Sequence, residues 1–218
     1  MILVGITGKI GCGKTTVSNI LKQMGYKVFD SDNCSKNLIQ KKIVIKKIEK
    51  YFKFKVSNLV MQNGKINTDK LGNYVFENEN ELKVLESILH PLIKLKERKF
   101  VFHNAINKEK IVFLDIPLLF QSKAYKRCDY IICTSVSKLV QKQRVLSRNQ
   151  MTNAKYNNIV AKQNLRDIFI KNKISLSVNT GNNLINLRRK LLKFLSLIKK
   201  KKKKYVWPLT YNFYNKPL

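Results

Sequence analysis

Residues 8–16 read GKIGCGKTT. Gly8, Gly13, Lys14 and Thr15 satisfy the spacing G-x-x-x-x-G-K-[ST], and Gly11 adds a further glycine within it. Glycines at these places let successive backbone N–H groups turn inward around phosphate oxygens, since no Cβ stands in the way. The lysine of such a loop reaches the β- and γ-phosphates, and the hydroxyl after it ligates Mg2+. What flanks the loop constrains the fold. MILVGIT is a short, β-branched, apolar run of the kind that forms a buried strand. TTVSNILKQMG places Val17, Ile20, Leu21 and Met24 on one helical face and stops at Gly25. Strand, loop and helix follow in the order phosphate binding needs, with the positive helix N-terminus facing the anion. A chance glycine-rich turn would not bring both flanks. Gly8, Gly11, Cys12, Gly13, Lys14, Thr15 and Thr16 are the candidate nucleotide-binding residues, and Thr15 is a candidate Mg2+ ligand.

The remainder alternates strands with helices. YKVFDSD (26–32) reads as a second strand ending in two acids, Asp30 and Asp32. KIVFLDIPLLF (110–120) reads as a buried strand ending in Asp115 and closed by Pro117; CDYIICTS (128–135) is a fourth strand and SLSVNTG (175–181) a fifth. Between the second and third, NLIQKKIVIKKIEKYF (37–52) has helical spacing, and an Asn-Gly turn at 63–64 precedes a short helix. Residues 78–106 are helical in pattern, and Pro91 is expected to break them, because proline suits the first turn of a helix better than its interior. Two basic helical stretches, roughly 137–149 and 152–171, follow the fourth strand, and NNLINLRRKLLKFLSLI closes the fold. The expected class is α/β: a P-loop NTPase-like, parallel, five-stranded sheet flanked by helices with right-handed crossovers. Binding in such a sheet belongs at the carboxyl ends of the strands, where the loop, Asp30, Asp32 and Asp115 are expected.

At 218 residues and 44% apolar composition, most of the chain is expected to fold. Its net charge of +31 admits a nucleic-acid or anionic-membrane partner. Lysines, however, are spread over nearly every predicted helix rather than gathered in one stripe, and Asn, Ile, Tyr and Phe are also plentiful. That pattern favours a general compositional drift, so nucleic acid is not the expected partner. No aromatic-rich recognition motif is present. The four cysteines form no C-x-x-C pair and no metal-ligand spacing with His90 or His103, which points to free thiols and a cytoplasmic protein. The apolar N-terminus lacks a basic n-region and a cleavage site, and no apolar run approaches the roughly 18 residues of a membrane helix. Residues 199–218 open with six lysines and read as a disordered tail.

A phosphate loop alone does not choose among kinase, GTPase and ATPase. No guanine-reading N-K-x-D is present, and DKLG (69–72) lies inside a helical pattern rather than at a strand end. A compact chain with a basic helical pair after its fourth strand suits a small-molecule kinase with a lid. GITGKIGCGKTTVSNILKQMGYKVFDSD, DKLGNYVF, LESILHPLI, LDIPLLF, QKQRVLSRNQMT with a later Gln, and NTG resemble the motifs of the dephospho-coenzyme A kinases, in order, over about residues 1–197. The resemblance implies ATP as donor and the ribose 3′-hydroxyl of dephospho-CoA as acceptor, giving CoA and ADP with Mg2+ as cofactor; another P-loop small-molecule kinase, for a nucleoside or sugar, is the alternative, ahead of a basic nucleic-acid-binding protein. It also implies a nucleotide-binding core (about 1–40, 108–136 and 174–198), a helical CoA-side insertion (about 41–107) and a lid (about 137–173). A monomer is favoured.

Catalytic candidates are Lys14, Asp32 and Arg144. Asp32 occupies the acceptor-facing position of the family's D-x-D, where a carboxylate would take the proton of a poorly nucleophilic hydroxyl; the competing role is a helix N-cap. Asp30 or Asp115 would meet Mg2+ through water. Arg144 and Arg148 are four apart, so one helical face would present both to phosphate oxygens; a solvated basic face is the alternative. His90 and Leu118 are candidate acceptor-side residues, although His90 also fits a purely structural helix start. Gln141 and Gln163 match polar family positions without an evident chemical role. The chain departs from the family at Lys9, Gln121, Phe169, Lys173 and Ile174, which bears on the lid and adenine pocket.

Overall fold

The computed structural model of the chain describes residues 1–148, 151–163, 172–181 and 183–200. In chain order these form β1 (Ile2–Gly8), α1 (Lys14–Gln23), β2 (Lys27–Asp30), α2 (Ser31–Ile39), α3 (Lys42–Phe52) and α4 (Thr68–Glu77). There follow α5 (Glu79–Ile106), β3 (Ile111–Asp115), β4 (Tyr130–Ser135), α6 (Lys138–Leu146), α7 (Asn153–Lys162), β5 (Leu176–Asn179) and α8 (Leu184–Lys200). The chain divides into two compact units, one built from Met1–Asp30 with the described residues from Val101 onward, the other from Ser31–Phe100.

The first unit holds the sheet. All neighbouring strands are parallel, in the order β2-β3-β1-β4-β5. Burial explains which segments became strands. Six of the seven residues of β1 and all five of β3 are buried, so these central strands are apolar without alternation. The edge strands β2 and β5 are only partly buried. Helices α1 and α8 supply Val17, Leu21, Leu187, Leu191, Phe194, Leu195 and Ile198 to one core with Val4, Ile6, Phe113 and Ile132. Each such side chain contributes about 1.5–3 kcal/mol on burial. The register sets Ile6 and Asp30 on either side of Asp115, Gly8 beside Thr134, and Ser135 beside Asn179. The carboxyl ends of all five strands therefore lie along one edge.

The second unit is helical, around Val44, Ile48, Phe52, Ile66, Leu71, Val75, Leu85 and Leu89. The Asn-Gly turn is present: Gly64 has φ 73° and Val60 bridges Ile66. The side-chain amide of Gln40 pairs with the backbone of Ile66, accepting from its N–H at 2.9 Å and donating to its carbonyl at 3.1 Å. DKLG lies within α4, whose N-terminus is capped by Asn67 accepting from Lys70 N–H.

Three local expectations are corrected. Pro91 does not break the helix, and α5 runs unbroken from Glu79 to Ile106 with the proline inside. Proline removes one helical donor, and the burial of Leu85 and Leu89 with the partly buried Leu92 and Ile93 holds both sides of the gap. The helical pattern at 37–52 is two helices, because α2 starts at Ser31 and ends at Ile39 before α3 begins. The first basic stretch is shorter than expected, its helix ending at Leu146, while within the second α7 ends at Lys162. Residues 164–171, including Phe169, and the tail from 201 lie outside the described residues.

Candidate active site

The phosphate loop leaves β1 at Gly8 and enters α1 at Lys14. Cys12 N–H donates to Lys9 C=O at 3.1 Å, closing a tight turn. Gly11 and Gly13 then take φ values of 74° and 77°, which a side chain would strain. Gly13 is also the N-cap of α1 and offers no side-chain cap, while the first turn of α1 holds no acid. The leading N–H groups of the helix are thus left for an external anion, with the dipole behind them. Lys14 Nζ folds back over the loop and donates to Gly8 C=O at 3.2 Å, and Thr15 is exposed beside it. Cys12 contributes backbone rather than thiolate chemistry: it is buried, and desolvation pushes its thiol up against the pull of Lys14 and Lys9.

Two carboxylates stand at the ends of neighbouring strands. Asp115 is buried and accepts from Ser18 Oγ of α1 at 2.6 Å. Asp30 is its register partner on β2. Like the Thr15 hydroxyl, both offer only oxygen donors. Among the described residues no cluster of three or more His, Cys, Asp or Glu could enclose a metal. Carboxylate and hydroxyl oxygens are the donors Mg2+ takes alongside water and substrate phosphate oxygens.

Asp32 is not at the strand end. β2 stops at Asp30, and Asp32 is an exposed residue in the first turn of α2, in the helical unit. There a carboxylate complements the helix dipole. His90 is likewise exposed, in the interior of α5 rather than at a helix start. Leu118 is 40% exposed while Leu119 and Phe120 beside it are buried, so only Leu118 of the three keeps apolar surface outside the core. Gln121 is exposed.

The two arginines do not share a helix face, because α6 ends at Leu146 and Arg148 lies in the exposed turn beyond it. Arg144 is partly buried and engaged: Nη1 donates to Thr180 Oγ1 at 3.0 Å and Nη2 to Thr180 C=O at 3.1 Å. Thr180 Oγ1 in turn donates to Cys12 C=O at 3.0 Å. Thr180, just beyond β5, is thus a site residue that residue-by-residue reading missed, although the NTG in which it lies was visible. Gln141 and Gln163 also meet the loop. Gln141 Nε2 donates to Ile10 C=O and Gln163 Oε1 accepts from Ile10 N–H, each at 2.7 Å. Ser18 alone had no advance signal, since a serine inside a helix commonly faces solvent.

Comparison with known proteins agrees with this geometry. The family model described as dephospho-CoA kinase matches residues 2–177. A dephospho-CoA kinase of Bartonella quintana is 35% identical over 195 residues, covering 89% of this chain and 97% of that protein. One from Fusobacterium nucleatum is 32% identical over 203 residues, covering 91% and 99%. Among solved structures, the dephospho-CoA kinase from Campylobacter jejuni superposes with a TM-score of 0.66 at 25% identity, covering 91% of this chain and 97% of that one. TT1252 from Thermus thermophilus shares the fold, with a TM-score of 0.72 at 23% identity. Among the described residues no helix is long and apolar enough to cross a membrane. With its phosphate loop on the central strand of a parallel five-stranded sheet and a family match over most of its length, this chain belongs to the dephospho-CoA kinase family, ATP-dependent phosphotransferases with an alcohol acceptor.

Proposed function

We propose that this chain transfers the γ-phosphoryl group of ATP to the ribose 3′-hydroxyl of dephospho-CoA, giving CoA and ADP. The observation that carries the reading is the uncapped, acid-free start of α1 behind Gly13 and Lys14, in a chain whose family match spans residues 2–177. The 3′-oxygen forms a bond to the γ-phosphorus as the bond from that phosphorus to the β,γ-bridging oxygen breaks, and the hydroxyl proton passes to Asp32. Loop N–H groups and Lys14 bind the β- and γ-phosphates, where charge gathers as the bridging oxygen leaves. Bound Mg2+ would supply charge neutralisation between those phosphates, held by Thr15 and, through water, by Asp115 or Asp30. Arg144 spends two of its five N–H donors on Thr180 and retains others for a phosphate oxygen. Arg148, in its exposed turn, is free to approach the same anion.

We assign the helical unit, with its Asp32 and His90, to the acceptor side together with Leu118 of the segment after β3, and the α6–α7 pair to the lid role. A cytoplasmic setting is in keeping with four cysteines that are all free thiols. The test is simultaneous measurement of ADP and CoA from purified protein with ATP, Mg2+ and dephospho-CoA. Equal amounts of both products, abolished in Lys14→Ala, support the reading. ADP without CoA means another acceptor or idle hydrolysis and overturns it.

A further inference from the structure

Ile10 sits in the middle of the phosphate loop, and both of its backbone polar groups are taken by side chains from remote parts of the chain. Gln163 Oε1 accepts from its N–H across 153 residues of sequence, and Gln141 Nε2 donates to its C=O across 131, each at 2.7 Å. The chemistry removes any ambiguity about which end of each amide is which: a backbone N–H can meet only an amide oxygen, and a carbonyl only an amide NH2. Gln141 comes from the middle of α6 and Gln163 caps the C-terminus of α7, so each helix of the pair contributes one bond.

Packing at the next residue reinforces the contact. A Cβ built on Gly11 would lie 2.6 Å from Val145 Cγ2 and 3.0 Å from the backbone oxygen of Gln141, so α6 rests directly on the loop. Gln141 is 5% exposed, and a buried amide that lost its partner would find little water to replace it. The Ile10 N–H is committed to Gln163, so this loop donor is held by the protein itself and the backbone on either side of Ile10 is fixed by the two glutamine bonds.

We propose that Gln141 and Gln163 are positioning residues that lock the α6–α7 pair onto the phosphate loop through the N–H and C=O of Ile10, so that ATP binds tightly only when both bonds are made. The inference rests on the kinase reading for the identity of the nucleotide, and it assigns chemistry to two glutamines that had none. The two bonds have opposite polarity, which makes the proposal testable by one kind of substitution. Glutamate can still accept, so Gln163→Glu keeps its bond. Glutamate cannot donate when ionised, so Gln141→Glu faces the Ile10 carbonyl oxygen with a second oxygen.

The experiment compares Gln163→Glu, Gln163→Met, Gln141→Glu and Gln141→Met with the wild type. It reads ATP dissociation constants by calorimetry, KM for each substrate, kcat and the thermal unfolding midpoint. Gln163→Glu should stay within about twofold of wild type for ATP. Gln163→Met and Gln141→Met should each weaken ATP by about tenfold, and Gln141→Glu by more, with KM for dephospho-CoA unchanged. Equal ATP affinity in Gln163→Glu and Gln163→Met, both well below wild type, overturns the proposal, as does wild-type affinity in Gln141→Glu. Variants that lose thermal stability yet keep wild-type ATP affinity reduce the glutamines to packing and overturn it too. Because ATP binding is read directly, a wild type that binds ATP but makes no CoA sinks the acceptor assignment alone. A wild type that does not bind ATP sinks both.

Discussion

Arg144 and Thr180 are joined at two points, guanidinium to hydroxyl at 3.0 Å and guanidinium to carbonyl at 3.1 Å, and the same hydroxyl reaches the Cys12 carbonyl at 3.0 Å. The arginine of α6, the end of β5 and the phosphate loop thus form one hydrogen-bonded chain inside the first unit.

Removing the middle link should cost more than one neutral hydrogen bond. Thr180→Val keeps the shape but leaves the Cys12 carbonyl and one arginine N–H without this partner, for an expected loss of about 1–3 kcal/mol. Thr180→Ser keeps the hydroxyl and should stay within about 1 kcal/mol of wild type. Urea unfolding of the two variants side by side decides the matter.

Gly13 and Gly25 have similar left-handed backbones, with φ 77° and 85°, but different surroundings. An alanine Cβ at Gly13 would lie 2.4 Å from Thr180 Oγ1 and 2.7 Å from Thr180 Cβ, whereas nothing stands within 4 Å at Gly25. Gly25→Ala should therefore cost only the conformational strain, about 1–2 kcal/mol. Gly13→Ala should exceed that and also weaken ATP binding. Equal unfolding free energies for the two variants would contradict the close approach of Thr180.

The Ser18–Asp115 bond predicts a coupling. Asp115 is buried and takes a 2.6 Å bond from Ser18 Oγ, so Ser18→Ala and Asp115→Asn should be non-additive by about 1–2 kcal/mol in a double-mutant cycle. Additive losses would mean that the two residues act separately. If Asp115 meets Mg2+ through water, Ser18→Ala should also raise the Mg2+ concentration needed for half-maximal turnover.

Cys133 gives the protein an alkaline weakness. Burial in β4 pushes its thiol up to about 11 from an ordinary 9.0. Below pH 9 both folded and unfolded chains keep the proton, and the full contribution of the group is present. Between about 9 and 11 the unfolded chain releases a proton that the folded one retains, so stability falls as pH rises, by about 2–3 kcal/mol in all. Cys133→Ala should flatten that part of the curve relative to wild type when unfolding is followed from pH 8 upward. An unchanged slope would contradict the assignment to Cys133.

What could be read in advance was local or periodic. The β1–loop–α1 unit is legible because strand pattern, glycine spacing and helical face occur within 25 consecutive residues. Buried strands such as IVFLD and the stripe Leu187, Leu191, Phe194, Leu195 and Ile198 announce themselves through burial. Pro91 misled because a proline's cost is one missing bond, and a long helix packed on both sides absorbs it. Arg148 misled because α6 stops at Leu146 without a glycine to mark the end. Thr180, Gln141 and Gln163 stood within the family motifs, but their contacts with the phosphate loop were opaque for a different reason. Their partners lie 168, 131 and 153 residues away, and a polar side chain after a strand or on a basic helix looks solvated until the fold brings a backbone group to it.

The most direct measurement is phosphorus NMR of the nucleotide products after incubation with ATP, Mg2+ and dephospho-CoA, for wild type, Lys14→Ala and Asp32→Asn. The wild type should give one new phosphomonoester on the ribose 3′-oxygen for every ADP formed, Lys14→Ala none, and Asp32→Asn at most about one hundredth of the wild-type rate. ADP without that ester, an ester at another position, or full activity in Lys14→Ala would contradict the assignment.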